Sequence, residues 1–313
     1  MKFWNVSGHW LAANISTPSK VIDKPMTVEV LKQELIKEKY SHVCISAFLD
    51  GYFNFKKSME YLIKEHPSIV RVLGNIGALY DQFTQYFKPE NICYGDGVPF
   101  LRKLLNEPLD QPYYIPSTTG YLEMLGDKKN KIFAGVLTTS TGCPHKCDFC
   151  GTSVLFQGKF NKYNFTAEDV YRAIKEMEEK IGSNEFLIFV GEPNAFLDKN
   201  LWYSVFERFR NEKGSYGLIA PISMDVLDSY DMEKLQNSAI RLDIANIGLE
   251  SVNSKEYKKN KNRNVRELLR KFESYGISVW GTFIIGFPGQ TFNEMKGEVD
   301  SLIELGPTIP DLL

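Results

Sequence analysis

From Lys131 to Leu305 the chain alternates strand-like and helix-like segments, and this rhythm limits the possible folds more than any other feature. The strand-like runs are "KIFAGVLTT", "EFLIFV", "GLIAPIS", "RLDIANIGLE" and "SVWGTFIIGF". Each is followed by a segment with apolar residues at helical spacing. The first helix, "TAEDVYRAIKEMEEKIG", opens with Thr166 and Asp169 at capping-box spacing. Successive β/α units pair their strands in parallel and place ligands on the loops at the strands' carboxyl ends. The last residues, "GPTIPDLL", fall where a sixth strand would begin. The expected fold here is a partial (β/α) TIM-like barrel, truncated before the sixth strand and missing its C-terminal part.

The first third alternates differently. "MTVEVLKQELIKEKY" reads as helix, "HVCISAF" as strand, "NFKKSMEYLIKEH" as helix and "SIVRVLGNIG" as strand; "NICYG" is a further strand and "VPFLRKLL" a helix. This predicts an α/β, Rossmann-like (flavodoxin-like) open parallel sheet over residues 1–110. Its ligand loops would include "GNIG" and "GDG", where glycine lets the backbone turn tightly. Residues 111–130 carry prolines, glycines and little periodicity and read as a linker, leaving 131–313 for the barrel.

Composition removes several classes of function. A formal net charge of −2 offers no electrostatic footprint for nucleic acid. No run is long and apolar enough to cross a bilayer, and the N-terminus lacks a signal peptide's apolar segment. Five cysteines, three of them clustered, do not make a disulfide framework. The expected setting is therefore a reducing cytoplasm, with the clustered thiols directed at metal.

The cluster is "TGCPHKCDFCG", holding Cys143, Cys147 and Cys150 just beyond the first barrel strand. Three thiolates in one short loop can hold three corners of a [4Fe–4S] cluster and leave one iron open. Structural zinc is the rival and needs a fourth ligand. His145 lies between two of the cysteines and is too constrained to join easily as that ligand. Cys44 and Cys93 sit in apolar, strand-like runs and are expected to be core.

The Cys-x₃-Cys-x₂-Cys spacing, with Phe149 just before the last cysteine, resembles the signature of the radical S-adenosylmethionine (radical SAM) superfamily. The resemblance implies an enzyme whose open iron is chelated by SAM. Reductive cleavage of SAM would give a 5′-deoxyadenosyl radical that abstracts hydrogen from a substrate. A small molecule or peptide would be the substrate, and a flavodoxin or ferredoxin the reductant. It also assigns cofactor contacts at successive strand ends. In "FVGEPNAF", Gly191 and Glu192 would approach the SAM amino group; in "IGLES", Glu250 and Ser251 would address the ribose or the methionine carboxylate. In "GTFIIGFPGQT", Ile284 and Gly286 would meet the adenine. Taken singly, such strand-end glycines and prolines are ordinary turn residues. One departure stands out: relatives often carry an arginine near the end of the third strand, where this chain has Met224.

An α/β domain, a linker and then this barrel is the layout of the superfamily's cobalamin-binding branch, which the segments of residues 26–105 resemble. That resemblance implies cobalamin as a further cofactor and methyl transfer as the commonest chemistry. The branch's usual Asp-x-His-x-x-Gly motif is absent around all four histidines, so no histidine lower ligand is expected. The competing readings are a cobalamin-free radical SAM enzyme and a non-catalytic iron–sulfur or zinc protein. The basic stretch "KEYKKNKNRNVR", residues 255–266, reads as a solvated loop.

Overall fold

The computed structural model describes residues 5–124, 127–251, 264–306 and 309–312. The chain divides into two compact units between which it alternates. One comprises Met1–Pro116 and Ser140–Tyr163, the other Ser117–Thr139 and Asn164–Leu313.

The first unit begins with α1 (Val6–Ala13), started by Asn5, whose side chain accepts the Gly8 N–H. Next come α2 (Val28–Lys37), β1 (His42–Ser46), α3 (Tyr52–Glu65), β2 (Val70–Gly74), α4 (Asp81–Thr84) and α5 (Gly97–Leu104). Strands β1 and β2 pair in parallel from His42↔Val70 to Ser46↔Gly74. "NICYG" does not extend into a full strand; it contributes one parallel bridge, Leu73↔Ile92. One sheet face packs against α2 and α3 through Leu31, Ile45, Phe55, Leu62 and Leu73. Burying each such side chain is worth roughly 1.5–3 kcal/mol. Cys93 is buried as expected, but Cys44 is exposed, a correction to its reading as core. Strand alternation puts Val43 and Ile45 toward the helices and Cys44 on the opposite face.

The stretch read as a linker, residues 111–130, is irregular only up to residue 117 and, among the described residues, is strand beyond it. It holds β3 (Thr118–Met124) and the start of β4 (Asp127–Leu137), paired antiparallel from Thr118↔Val136 onward. The chain then returns to the first unit for β5 (Ser140–Gly142), α6 (Gly151–Phe156) and β6 (Phe160–Lys162). The serial boundaries at 110 and 130 are thus replaced by an alternating division, and the cysteine loop sorts with the N-terminal residues.

The second unit continues with α7 (Ala167–Ile181), β7 (Glu185–Val190), α8 (Lys199–Arg208), β8 (Ser215–Pro221), α9 (Met224–Asp228), α10 (Met232–Gln236) and β9 (Ile240–Glu250). It ends with α11 (Val265–Ser274), β10 (Ser278–Phe283), α12 (Phe292–Leu305) and β11 (Ile309–Leu312). Its sheet runs β11-β10-β9-β8-β7-β4-β3, all parallel except β3. The central strand β8 is buried along nearly its whole length, as a strand covered on both faces must be. Helices α7 and α12 both open with the reciprocal capping box, Thr166 with Asp169 and Thr291 with Glu294. The expectation that the chain stops before a sixth strand is corrected: Ile309–Leu312 pair in parallel with β10 as the sixth parallel strand. The fold is a mixed α/β architecture built on a mainly parallel sheet. Residues 255–263 of the basic stretch lie outside the described residues.

Candidate cluster loop and cofactor-binding strand ends

The cysteine loop is closed by a short antiparallel hairpin in which Ser140, Thr141 and Gly142 of β5 face Lys162, Asn161 and Phe160 of β6. Gly142 has φ +76°, and a Cβ there would overlap the Lys159 carbonyl oxygen, so only glycine fits. Between the hairpin strands lie Cys143, Cys147 and Cys150, each half-buried and none in a disulfide. The Cys150 N–H donates to the Cys147 carbonyl at 3.1 Å, which turns the backbone between the last two cysteines. The Ser153 hydroxyl donates to the His145 carbonyl at 2.8 Å and ties the first half of the loop to α6. Cys150 is the N-cap of α6, yet its thiol makes no capping bond. Phe149 beside it is about 40% exposed, a poor position for a core aromatic.

Two further contacts hold this loop within its unit. Gly151 lies so close to Ile76 and Leu79, in the 3₁₀ turn Ile76–Leu79 beyond β2, that a side chain would displace Ile76. The loop therefore packs at the carboxyl end of the first unit's sheet. At that end Asn75 has φ +67°, donates to the Ser46 hydroxyl at 3.0 Å and accepts the Ile76 N–H at 2.7 Å. The second contact is at Tyr163, after β6. Its hydroxyl donates to Asp96 at 2.7 Å and lies 2.6 Å from the Thr141 hydroxyl, while its ring stacks on Tyr113 with centroids 4.4 Å apart. Asp96 also caps α5 by accepting the Val98 N–H. Burial raises the Asp96 pKa, and the Tyr163 hydrogen bond opposes that rise.

As a ligand set the loop offers three thiols, with His145 and Asp148 between them. Among the described residues no group of three His, Cys, Asp or Glu side chains stands converged on a metal. Three half-buried thiols on one loop suit a cluster with an open corner, whereas a structural zinc site needs a fourth ligand.

The six other expected contacts lie in the second unit, at the carboxyl edge of its sheet. The Gly191 N–H donates to the Leu137 carbonyl at 2.8 Å, which fixes the turn after β7. Glu192, 2% exposed, accepts both the backbone N–H (2.7 Å) and the hydroxyl (2.5 Å) of Thr139. Glu250, also buried, has φ +61° where the β9–β10 register shifts, and its carbonyl accepts the Ile284 N–H at 2.9 Å. Ser251 donates to the buried Glu298 at 2.5 Å. Gly286, φ +83°, donates to the Gln290 side chain at 2.7 Å. Met224, in place of a basic residue, is buried at the start of α9. Sequence reasoning missed Thr139, Glu298, Asp96 and Tyr163. Each acts through a partner 47 to 67 residues away, which local spacing does not reveal.

The family model of the radical SAM superfamily matches residues 137–302, more than half of the chain and including all three clustered cysteines. The chain belongs to the radical SAM superfamily. The cofactors of that family are a [4Fe–4S] cluster and SAM. Among solved structures the chain resembles the radical SAM methyltransferase TsrM from Kitasatospora setae with tryptophan substrate and the SAM analogue aza-SAM bound. The TM-score is 0.63 at 14% identity, covering 91% of this chain and 64% of that one. The same enzyme with cobalamin and a [4Fe–4S] cluster matches with TM-score 0.64 and 14% identity, covering 91% and 66%. At that identity the likeness is one of fold, and this radical SAM chain spans about two thirds of the length of those it matches. Comparison with curated proteins finds no match. No helix among the described residues is long and apolar enough to cross a membrane.

Proposed function

We propose that this enzyme uses a cluster held by Cys143, Cys147 and Cys150, together with SAM, to abstract hydrogen from a small-molecule or peptide substrate. We further propose that it binds cobalamin and transfers a methyl group. In this reading the first unit is a Rossmann-like cobalamin module and the second a partial β/α barrel. When bound, the cluster and SAM supply one-electron chemistry; the protein's part is to orient the reacting groups and exclude water. Glu192 would meet the SAM ammonium, Glu250 and Ser251 its polar groups beyond, and Ile284 and Gly286 the adenine. A flavodoxin or ferredoxin would deliver the electron.

The observation that carries the cobalamin reading is the packing of the cysteine loop at the carboxyl end of the first unit's parallel strands, through Gly151 against Ile76 and Leu79. That end of an α/β sheet is where ligands bind, so a ligand seated at Ser46 and Asn75 would lie in the same unit as the cluster. Outside the cysteine loop, no histidine is placed to ligate cobalt from that end. His9 on α1 bonds Asp23, His42 opens β1 at its amino end, and His66 caps the end of α3. Cobalamin would therefore bind without a histidine lower ligand.

The test is anaerobic reconstitution followed by electron paramagnetic resonance of the dithionite-reduced protein, with and without SAM, and then an optical titration with hydroxocobalamin. A [4Fe–4S]⁺ signal that SAM reshapes supports the radical reading, and retained zinc with no cluster refutes it. A cobalamin spectrum unchanged by the protein leaves the cobalamin-free radical SAM enzyme as the answer.

A further inference from the structure

We infer that the rim of the cysteine loop, marked by Lys146, Lys159 and Val154, is the docking surface for an acidic electron-carrier protein of the flavodoxin type. The inference rests on the reading of Cys143, Cys147 and Cys150 as cluster ligands, and it names the surface at which the electron would arrive.

Charge is the first observation. The whole chain carries 37 basic and 39 acidic side chains, yet Ser140–Tyr163 holds three lysines, Lys146, Lys159 and Lys162, against the single carboxylate of Asp148. All three lysines are exposed. Lys146 and Lys159 make no ion pair among the described residues, whereas Lys175 and Arg208 of the second unit are each paired with a carboxylate. The two charges are thus left for a partner to meet.

The fold gathers them beside the thiols. Helix α6 ends in two successive left-handed residues, Gln157 at φ +54° and Gly158 at φ +67°. The Gly158 N–H donates to the Ser153 carbonyl at 3.1 Å and the Lys159 N–H to the Phe156 carbonyl at 2.9 Å, so the chain turns back toward the loop. A Cβ at Gly158 would stand 2.8 Å from the Lys146 stem, so glycine there lets that stem lie across the turn, next to Lys159. The Lys159 carbonyl in turn lies against Gly142, the residue before Cys143. Lys146 itself precedes Cys147. One turn along α6 from Cys150, whose carbonyl accepts the Val154 N–H at 3.3 Å, Val154 is 57% exposed. The loop that bears the cysteines therefore offers an apolar side chain together with unpaired basic ones.

That pattern fits one partner chemistry. A flavodoxin is an acidic protein whose flavin exposes an apolar dimethylbenzene edge within a rim of carboxylates. Its carboxylates would meet Lys146 and Lys159, and the flavin edge would meet Val154, in the small, transient contact that electron carriers make. The flavin loses one electron and the cluster gains one; no atom changes hands.

The experiment uses cluster-loaded protein under anaerobic conditions. Binding is read by fluorescence anisotropy of a labelled, oxidised bacterial flavodoxin, and electron delivery by stopped-flow mixing with the reduced flavodoxin. Lys146→Gln combined with Lys159→Gln is expected to weaken binding and slow reduction by about tenfold at low ionic strength. In about 1 M salt, where the screening length is ~3 Å, the double variant and wild type should converge. Val154→Asp should lose about tenfold at either ionic strength, because an apolar contact is removed. Lys39→Gln, before β1 at the opposite end of the first unit's sheet, should match wild type. Dithionite, which needs no docking surface, should reduce wild type and the double variant alike. Flavodoxin binding unmoved by the double variant, or moved equally by Lys39→Gln, would overturn the inference alone. So would a double variant impaired with dithionite as well, since the lysines would then serve the cluster's own charge. Lysine-dependent binding of a bacterial ferredoxin, with none of flavodoxin, would overturn the choice of carrier. Wild type that loads no cluster would instead overturn the reading on which the inference rests. Should the double variant fail to load, Lys159→Gln alone, outside the span of the three cysteines, carries the comparison with an expected loss of about threefold.

Discussion

At the scale of single residues, the second unit buries two carboxylates, Glu192 and Glu298, where a carboxylate is costly, and gives each of these two a hydroxyl donor. Glu192 is held by Thr139 through both backbone N–H and hydroxyl. Replacing Thr139 with valine keeps the shape and the N–H but removes the hydroxyl from a buried charge. A loss of about 2 kcal/mol in folding free energy is expected from urea denaturation, since hydrogen bonds to charged groups sit near that value. Asp96 makes a different prediction. Burial raises its folded-state pKa above the unfolded value, so the folded protein holds the proton more tightly. That contribution is fully present below the unfolded pKa and is lost as pH rises through the folded pKa. Measured against Asp96→Asn, which does not titrate, wild type should gain stability as pH falls from about 7 to about 4. A difference between the two that stays constant with pH would refute this. None of these pairs is legible from the sequence, because spacing identifies neighbours on one element and these partners meet only through the fold. The cysteines were legible because three ligands of one type fall within a single loop.

At the scale of elements, the alternation of strands and helices was legible wherever the hydrophobic period was sustained, and it failed where the pattern was short or broken. Residues 118–137 follow Pro112 and Pro116 and contain glycines at 120, 126 and 135, which mask a strand pair, and β11 is only four residues long. The β5–β6 hairpin was missed because three-residue strands carry no measurable period. That hairpin nonetheless closes the cysteine loop, and its geometry turns on Gly142. Alanine there would face both the left-handed φ of +76° and the Lys159 carbonyl. Gly142→Ala is expected to cost about 2 kcal/mol or more and to lower iron content after reconstitution, although no thiol has been removed. Iron and sulfide analysis beside a thermal melt would check it. A destabilised protein that still takes up a full cluster would show that the hairpin does not shape the loop.

At the scale of the whole molecule, the alternation of the chain between its two units makes the serial boundaries misleading in a testable way. Leu155, from the cysteine segment, belongs to the same buried cluster as Leu31, Phe55 and Leu73, and Tyr163 stacks on Tyr113 and bonds Asp96. Residues 1–116 expressed alone would therefore lack part of their own core. The excursion that separates the two pieces is an antiparallel pair, with Thr118 opposite Val136, so it leaves and returns at neighbouring points. Cross-strand partners lie about 5 Å apart, a gap that a short Gly/Ser linker spans easily. A chain joining residues 1–116 to 140–163 through such a linker is expected to unfold cooperatively by circular dichroism and to take up iron on reconstitution. Residues 1–116 alone should show no cooperative transition, because the missing apolar contacts are each worth a kcal/mol or more against a stability of only about 5–15 kcal/mol. If instead the shorter fragment folds as well as the joined one, the cysteine segment is an appendage to the N-terminal fold. The shared packing argued for the cluster loop would then lose its basis.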